Sequence, residues 1–437
     1  MAFKHFTYND TPNLQLALGI NWYGFAVNNA VANPIVTRIG NLGLHKSLPI
    51  QSAMSAVLLA ADGIENYTLK ADNWALKADG VTASDLTGAD GDVMIKVPNY
   101  YFQFERVGDV DYFRFSEDPL TGMARIINLP ISHFYVSAYE AGIDRTDSKL
   151  MSFINNDVRY RGGNNNSAWD ATDATLLGMP VTNVSRTYFR TYARNKGTGW
   201  EMYTYGAHRA VTLLFILEYA TRNAQAAVNA SLTAEGYKQG GLGAGVTNIN
   251  GTLWNTWKAY NPFIAMGASN SLGTSSGEVA YSMPAGYGAA LTTYINRYRG
   301  IELPFGHIWK NSDGINLKAS KTLNQNIAFV TDNPTYFSDS VYTNYTELAA
   351  SPITNNYIKK MVTGGHLLPQ DVDASSSYWA DYFYQSLPGS GENLRTVRWG
   401  GYADNGSNAG FGFSYASYSP SIAFASIGSR LCFFPAE

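Results

Sequence analysis

Residues 398–437 read RWGGYADNGSNAGFGFSYASYSPSIAFASIGSRLCFFPAE, two rigid-looking ends with a different kind of chain between them. Arg398-Trp-Gly-Gly opens the stretch. Ile427-Gly-Ser-Arg-Leu-Cys-Phe-Phe434 closes it as a compact strand in which Leu431 to Phe434 reads as buried. Between them, Tyr402 to Ser426 uses only Tyr, Ala, Asp, Asn, Gly, Ser, Phe, Pro and Ile; Lys, Glu, Gln, Met and Trp are absent. A Gly/Ser/Asn-rich surface loop is the plain reading, because loops are solvated. Yet Tyr402, Phe411, Phe413, Tyr415, Tyr418, Ile422 and Phe424 give it more apolar surface than an idle loop carries. Tyr and Phe offer large, stiff contact area while Ser, Gly and Asn offer adaptable hydrogen bonds, the composition of antibody paratopes. On residue types alone, solvated loop and contact surface stand side by side.

The framework Arg398-Trp-Gly-Gly, then Asp404-Asn-Gly-Ser-Asn-Ala-Gly410, then Ile427-Gly-Ser-Arg-Leu431 resembles the C-terminal variable region of proteins diversified by retroelements. These are C-type-lectin-fold proteins, many of them phage tail receptor-binding proteins. In that family, mutagenesis at template adenines randomises AAC and AAT codons. Such codons yield Asn, Tyr, Ser, Asp, Ala, Gly, Phe, Ile or Pro but never Lys, Glu, Gln, Met or Trp, and the alphabet here fits that restriction. Interior segments extend the resemblance. Trp200 with the helix after it, Phe305-Gly-His-Ile-Trp309 with Asp313-Gly, and Arg398 to Gly401 follow the order of three elements in formylglycine-generating-enzyme-like domains, a C-type-lectin variant. The likeness spans roughly residues 90–434, and residues 36–90 are similar to the N-terminal portion of such tail proteins.

Composition agrees with a globular, contact-prone chain. Of 437 residues, 45% are hydrophobic and 15% charged, with a net charge of -3, so nothing suggests the basic patches of nucleic-acid or anionic-membrane binding. Aromatics reach 14%, which suits a β-rich protein. The single cysteine, Cys432, excludes an internal disulfide and reads as a buried structural thiol. No Sec-type leader and no apolar run long enough for a membrane span are visible, so export as part of a virion is the expected route.

Along the chain, Leu14, Leu16, Leu18 and Ile20 alternate as a strand in an apolar N-terminal arm that packs on a neighbouring subunit or assembly. A helix is expected over Ser52 to Ala60. Strands are expected at Val93 to Val97, Tyr100 to Arg106, Val110 to Phe115 and Ser132 to Tyr139, with Gly108-Asp109 turning a hairpin. The best helical pattern runs from Ala207 to about Ala227. A short strand is expected at His307 to Trp309. Gly240 to Gly245 follows no βα unit and lacks a phosphate-loop lysine, so it reads as a loop.

Catalytic signals are weak. Formylglycine generation needs more than one thiol, and only Cys432 exists. The six histidines show no zinc spacing, and His307 reads as a satisfied core residue. Glu140, Asp144 and Asp147 are near in sequence, as a glycoside-cleaving carboxylate pair need not be. The calcium-lectin motifs Glu-Pro-Asn and Trp-Asn-Asp are missing. A non-enzyme without cofactor or metal is expected.

The expectation is an α+β, C-type lectin-like fold of the formylglycine-generating-enzyme type: residues 1–90 for attachment and oligomerisation, then residues 91–437 with a variable ligand-binding segment at 398–432. The resemblance implies a phage tail receptor-binding protein at the tail tip or fibre of the virion, a homotrimer contacting other tail proteins and a host-surface receptor, protein or glycan. The expected contact residues are Tyr402, Asp404, Asn405, Asn408, Phe411, Phe413, Tyr415, Ser417, Tyr418, Ser421, Ile422 and Phe424. The alternatives are a bacterial adhesin or lectin of the same fold with a fixed target, which would need an export signal, and a sulfatase-modifying enzyme, which the cysteine count disfavours.

Overall fold

The computed structural model describes residues 20–436, mostly β-sheet with few helices. One seven-stranded sheet sits at its centre, in the order Trp200–Met202, Leu431–Phe433, His133–Ser137, Asp92–Pro98, Ser55–Leu59, Glu65–Lys70, Asn73–Lys77, and every pairing is antiparallel. Its inner strands are apolar on both faces. Val93, Ile95, Val97, Phe134 and Val136 pack with the helix Tyr205–Tyr219. The alternate residues Met94, Tyr135, Leu431 and Phe433 pack with Phe189 and Ala193 of the helix Arg186–Arg194. Such double-sided burial makes a strand read as a continuous apolar run.

That is why Ser52 to Ala60 is not the expected helix. Only Pro49–Ser52 forms a helical turn, and Ser55–Leu59 is a strand flanked by two others. Short apolar runs carry no periodicity that separates the two states. The sheet also runs across the expected boundary at residue 90, since Ser55–Leu59 pairs with Asp92–Pro98. The hairpin expectation holds: Val107 pairs with Val110 across Gly108-Asp109, with Gly108 at φ 59, inside a second, five-stranded sheet with Tyr23–Asn28. Leu14, Leu16 and Leu18 lie outside the described residues.

The long helix starts at Thr204, whose hydroxyl accepts the Ala207 N–H at 3.2 Å. Nearly all of its residues are buried, as befits an interior helix. It stops earlier than the sequence pattern suggests. Ala220 turns left-handed at φ 52, and beyond it Arg222 N–H donates to Pro34 O at 2.8 Å while Thr221 bridges Ile35. Tertiary backbone partners replace the helical ones there. Among the described residues, no helix is long and apolar enough to cross a membrane.

A buried ionic cluster joins the central sheet to the second half of the chain. His307 Nε2 accepts from the backbone N–H groups of Phe263 (3.1 Å) and Ile264 (3.2 Å), so its proton sits on Nδ1 and is donated to Glu140 Oε2 at 2.6 Å. Lys310 lies 2.8 Å from the other Glu140 oxygen and donates to Gly306 O. Burial opposes the Glu140 charge, but Lys310 and His307 outweigh it and hold the carboxyl below its ordinary range. His307 is thus a satisfied core residue. Asp144 and Asp147 both bind Arg159 instead, at 2.6 and 3.1 Å, so the three carboxylates do not form one pair. Lys310→Met leaves Glu140 buried without its ammonium partner and is expected to destabilise by about 3–5 kcal/mol, read from the shift in urea unfolding midpoint; a loss within experimental error would show that the cluster is not structural.

Candidate ligand-binding site

The site is built on a second seven-stranded sheet, ordered Pro369–Asp373, Asn356–Met361, Tyr382–Gln385, Gly410–Ala416, Arg398–Gly400, Trp309–Asn311, Ile427–Gly428. Both framework ends of the narrow-alphabet segment are therefore strands of one sheet. Arg398–Gly400 and Ile427–Gly428 flank Trp309–Asn311, the latter in parallel, and every residue in them is buried. The strand His307 to Trp309 begins two residues later than expected, because His307 itself turns left-handed at φ 58.

Trp309 is the centre of the aromatic packing. Its ring lies 5.8 Å from that of Tyr402, 4.8 Å from Phe413 and 5.3 Å from Tyr415. Tyr415 continues the array, stacked on Tyr384 at 4.7 Å and on Tyr418 at 5.3 Å, and Tyr418 meets Phe424 at 5.3 Å. These rings enclose an open cavity of about 270 Å³, with Asn405, Asn408 and Ser426 adding polar walls. Arg398 also lines it. Burial lowers its guanidinium to about 10, so it is charged at neutral pH, and the Tyr418 ring covers it at 4.8 Å.

Seven of the twelve expected residues meet in this cavity: Tyr402, Asn405, Asn408, Phe413, Tyr415, Tyr418 and Phe424. Asp404, Ser421 and Ile422 are at least partly exposed but do not line it. Two expectations are corrected. Phe411 is 2% exposed, packed on Phe215 and Phe305 at 5.1 and 5.8 Å, with its carbonyl accepting from His208 Nε2 at 2.9 Å. The strand register jumps between Trp399↔Ser414 and Gly400↔Gly410, and Phe411 falls to the core side. Ser417 is likewise buried, 7% exposed.

Sequence reading missed Tyr382 and Tyr384. Parallel pairing sets Tyr384 opposite Tyr415. The alternation in Tyr382–Gln385, with Phe383 buried and the tyrosines flanking it more open, was the available signal.

No family model matches the chain, and no curated protein matches it. Among solved structures, the chain is similar to one described as "Major Tropism Determinant U1 Variant", with a TM-score of 0.27 and 12% identity over 95% of this chain and 72% of that one. A likeness of that size carries no argument about fold or function.

The interior around the site holds little free chemistry. Cys432 is fully buried and its thiol is pushed up to about 12 by burial. Among the described residues, no group of three or more His, Cys, Asp or Glu could hold a metal ion. Asp381 supports the site strand from behind: its Oδ2 accepts the Gly412 N–H at 2.6 Å, and a Cβ at Gly410 would lie 1.8 Å from its Oδ1. Burial pushes this carboxyl up to about 8, only partly offset by that hydrogen bond.

The folded pKa of Asp381 therefore lies above the unfolded value of about 3.9. Its contribution to stability is fully present below about pH 4 and is lost as pH rises through about 8. Asp381→Asn keeps the acceptor for Gly412 and removes the titration. The variant should melt higher than the parent at pH 8 and lose less stability from pH 5 to pH 8; parallel melting curves for the two proteins would contradict the assignment.

Proposed function

We propose that the chain is a phage tail receptor-binding protein with a C-type-lectin-like fold, displaying the 402–426 segment as a ligand surface that a retroelement diversifies. One observation carries this reading. Eight residues of the narrow-alphabet segment line one cavity, while the strands that bracket the segment are buried in the same sheet. A rigid scaffold of that kind lets exposed side chains change while the core stays intact. The resemblance of Arg398-Trp-Gly-Gly and Ile427-Gly-Ser-Arg-Leu431 to the diversified family supplies the biological setting. We assign the chain no catalytic role, a homotrimeric state, and a place on the virion at the tail tip or fibre.

One cavity of this size offers modest affinity, because each buried aromatic contributes roughly 1.5–3 kcal/mol before ordering costs. Three copies on one tail would raise it through avidity.

Tyr384 and Phe424 are 38% and 44% exposed, so trimming them leaves the fold alone. Tyr384→Ser and Phe424→Ser should each weaken attachment of the purified protein to host cells by roughly tenfold, with melting temperature unchanged. Full attachment by both variants would sink the reading. Diversification has its own test in deep sequencing of the gene's 3′ end across its source population. Codons for Tyr402, Asn405, Asn408, Tyr415 and Tyr418 should vary, while those for residues 398–401 and 427–434 and for the buried Phe411 stay nearly fixed. Uniform, sparse variation would leave a binding protein with a fixed target.

A further inference from the structure

Arg398 is the part of this cavity that aromatic display does not use. It is 1% exposed, and its Nε and Nη2 are buried with no hydrogen-bond partner among the described residues. Burial acts most strongly on its charge, Tyr415 and Tyr418 favour it and Arg186 opposes it, and among the described residues no carboxylate forms an ion pair with it. Two other buried arginines are held by partners: Arg186 binds Asp339 at 2.6 Å, and Arg430 donates to the carbonyls of Ser137, Glu302 and Leu303. A buried cation with no counter-ion is costly, and that cost falls when an anion arrives. The guanidinium fork matches the planar oxygens of a carboxylate, and its charge-assisted bonds suit a sulfate as well.

We propose that the cavity binds an acidic saccharide, with its carboxylate or sulfate on the Arg398 guanidinium and its ring against the tryptophan and tyrosine faces. This rests on reading the surface as a receptor-binding site and names the class of receptor. The cavity, about 270 Å³, falls just short of the range of about 300–1,000 Å³ that takes drug-sized ligands, so it suits a single ring. Asn405, Asn408 and Ser426 on its walls suit hydroxyl groups. An acidic peptide fits less well. The strand under the cavity, Gly410–Ala416, is paired on both sides, and the sheet edge nearest the cavity is the two-residue buried strand Ile427–Gly428, so no free ladder waits for an extended chain.

The test uses the full chain and four probes followed by ligand-observed NMR titration: glucuronate, glucose, galactose 6-sulfate and galactose. At least one acidic sugar should bind about tenfold or more tightly than its neutral parent, with binding weakened by salt. The two acidic probes separate a carboxylate receptor from a sulfated one. Arg398→Lys, which keeps the charge but loses the fork, should narrow the preference. The comparison between probes on the unaltered protein decides the matter even if that variant does not fold. Equal binding of acidic and neutral sugars, or binding of none, overturns the proposal. In that event, loss of cell attachment by Tyr384→Ser and Phe424→Ser leaves the receptor-binding reading standing, and unchanged attachment brings both down.

Discussion

Everything in this structure depends on one short segment serving two sheets. Ile427–Gly428 closes the edge of the site sheet beside Trp309–Asn311, and three residues later Leu431–Phe433 lies between Trp200–Met202 and His133–Ser137 in the central sheet. Arg430 fills the crossing, its guanidinium held by the carbonyls of Ser137 and Leu303. The two sheets are therefore stitched by covalent chain and by a buried fork of hydrogen bonds. The cavity sits just upstream of that stitch. Its floor cannot drift from the core, because the same backbone ends it and anchors the protein.

Rigidity at the base allows variety above. Trp309 and Arg398 belong to strands whose every residue is buried, whereas Tyr418 and Phe424 belong to irregular chain between strands. The tyrosines stack in a row, so a change at one position alters the outline of the cavity without leaving a hole in the core. Phe411 marks the limit of that freedom. It lies in the same narrow-alphabet segment, yet it packs against the long helix, and replacing it would open a void beneath the sheet.

What the sequence disclosed follows from what is local. The framework ends, the hairpin at Gly108-Asp109 and most of the aromatic residues that line the cavity are legible because composition, turn chemistry and alternation act over a few residues. Tyr384 was invisible because its place beside Tyr415 comes from a parallel pairing between distant strands. Phe411 is expected in the contact surface on composition alone, which does not tell which face a residue meets, and an irregular register puts it on the core side. Ser55–Leu59 falls within the expected helix because a strand buried on both sides has no period to read. The early end of the long helix at Ala220 carries no glycine or proline signal; it is imposed by the chain at residues 34–35.

The position of Leu431–Phe433 also bears on how the protein is made. The strands at His133–Ser137 and Trp200–Met202 leave the ribosome long before the strand that separates them, so the central sheet stays unzipped through most of synthesis. A polypeptide truncated before Leu431 would leave those two strands with bare edges, a state prone to aggregation and degradation. Closure of the central sheet therefore waits for Leu431–Phe433, and the fold itself discriminates between chains that reach this strand and chains that do not.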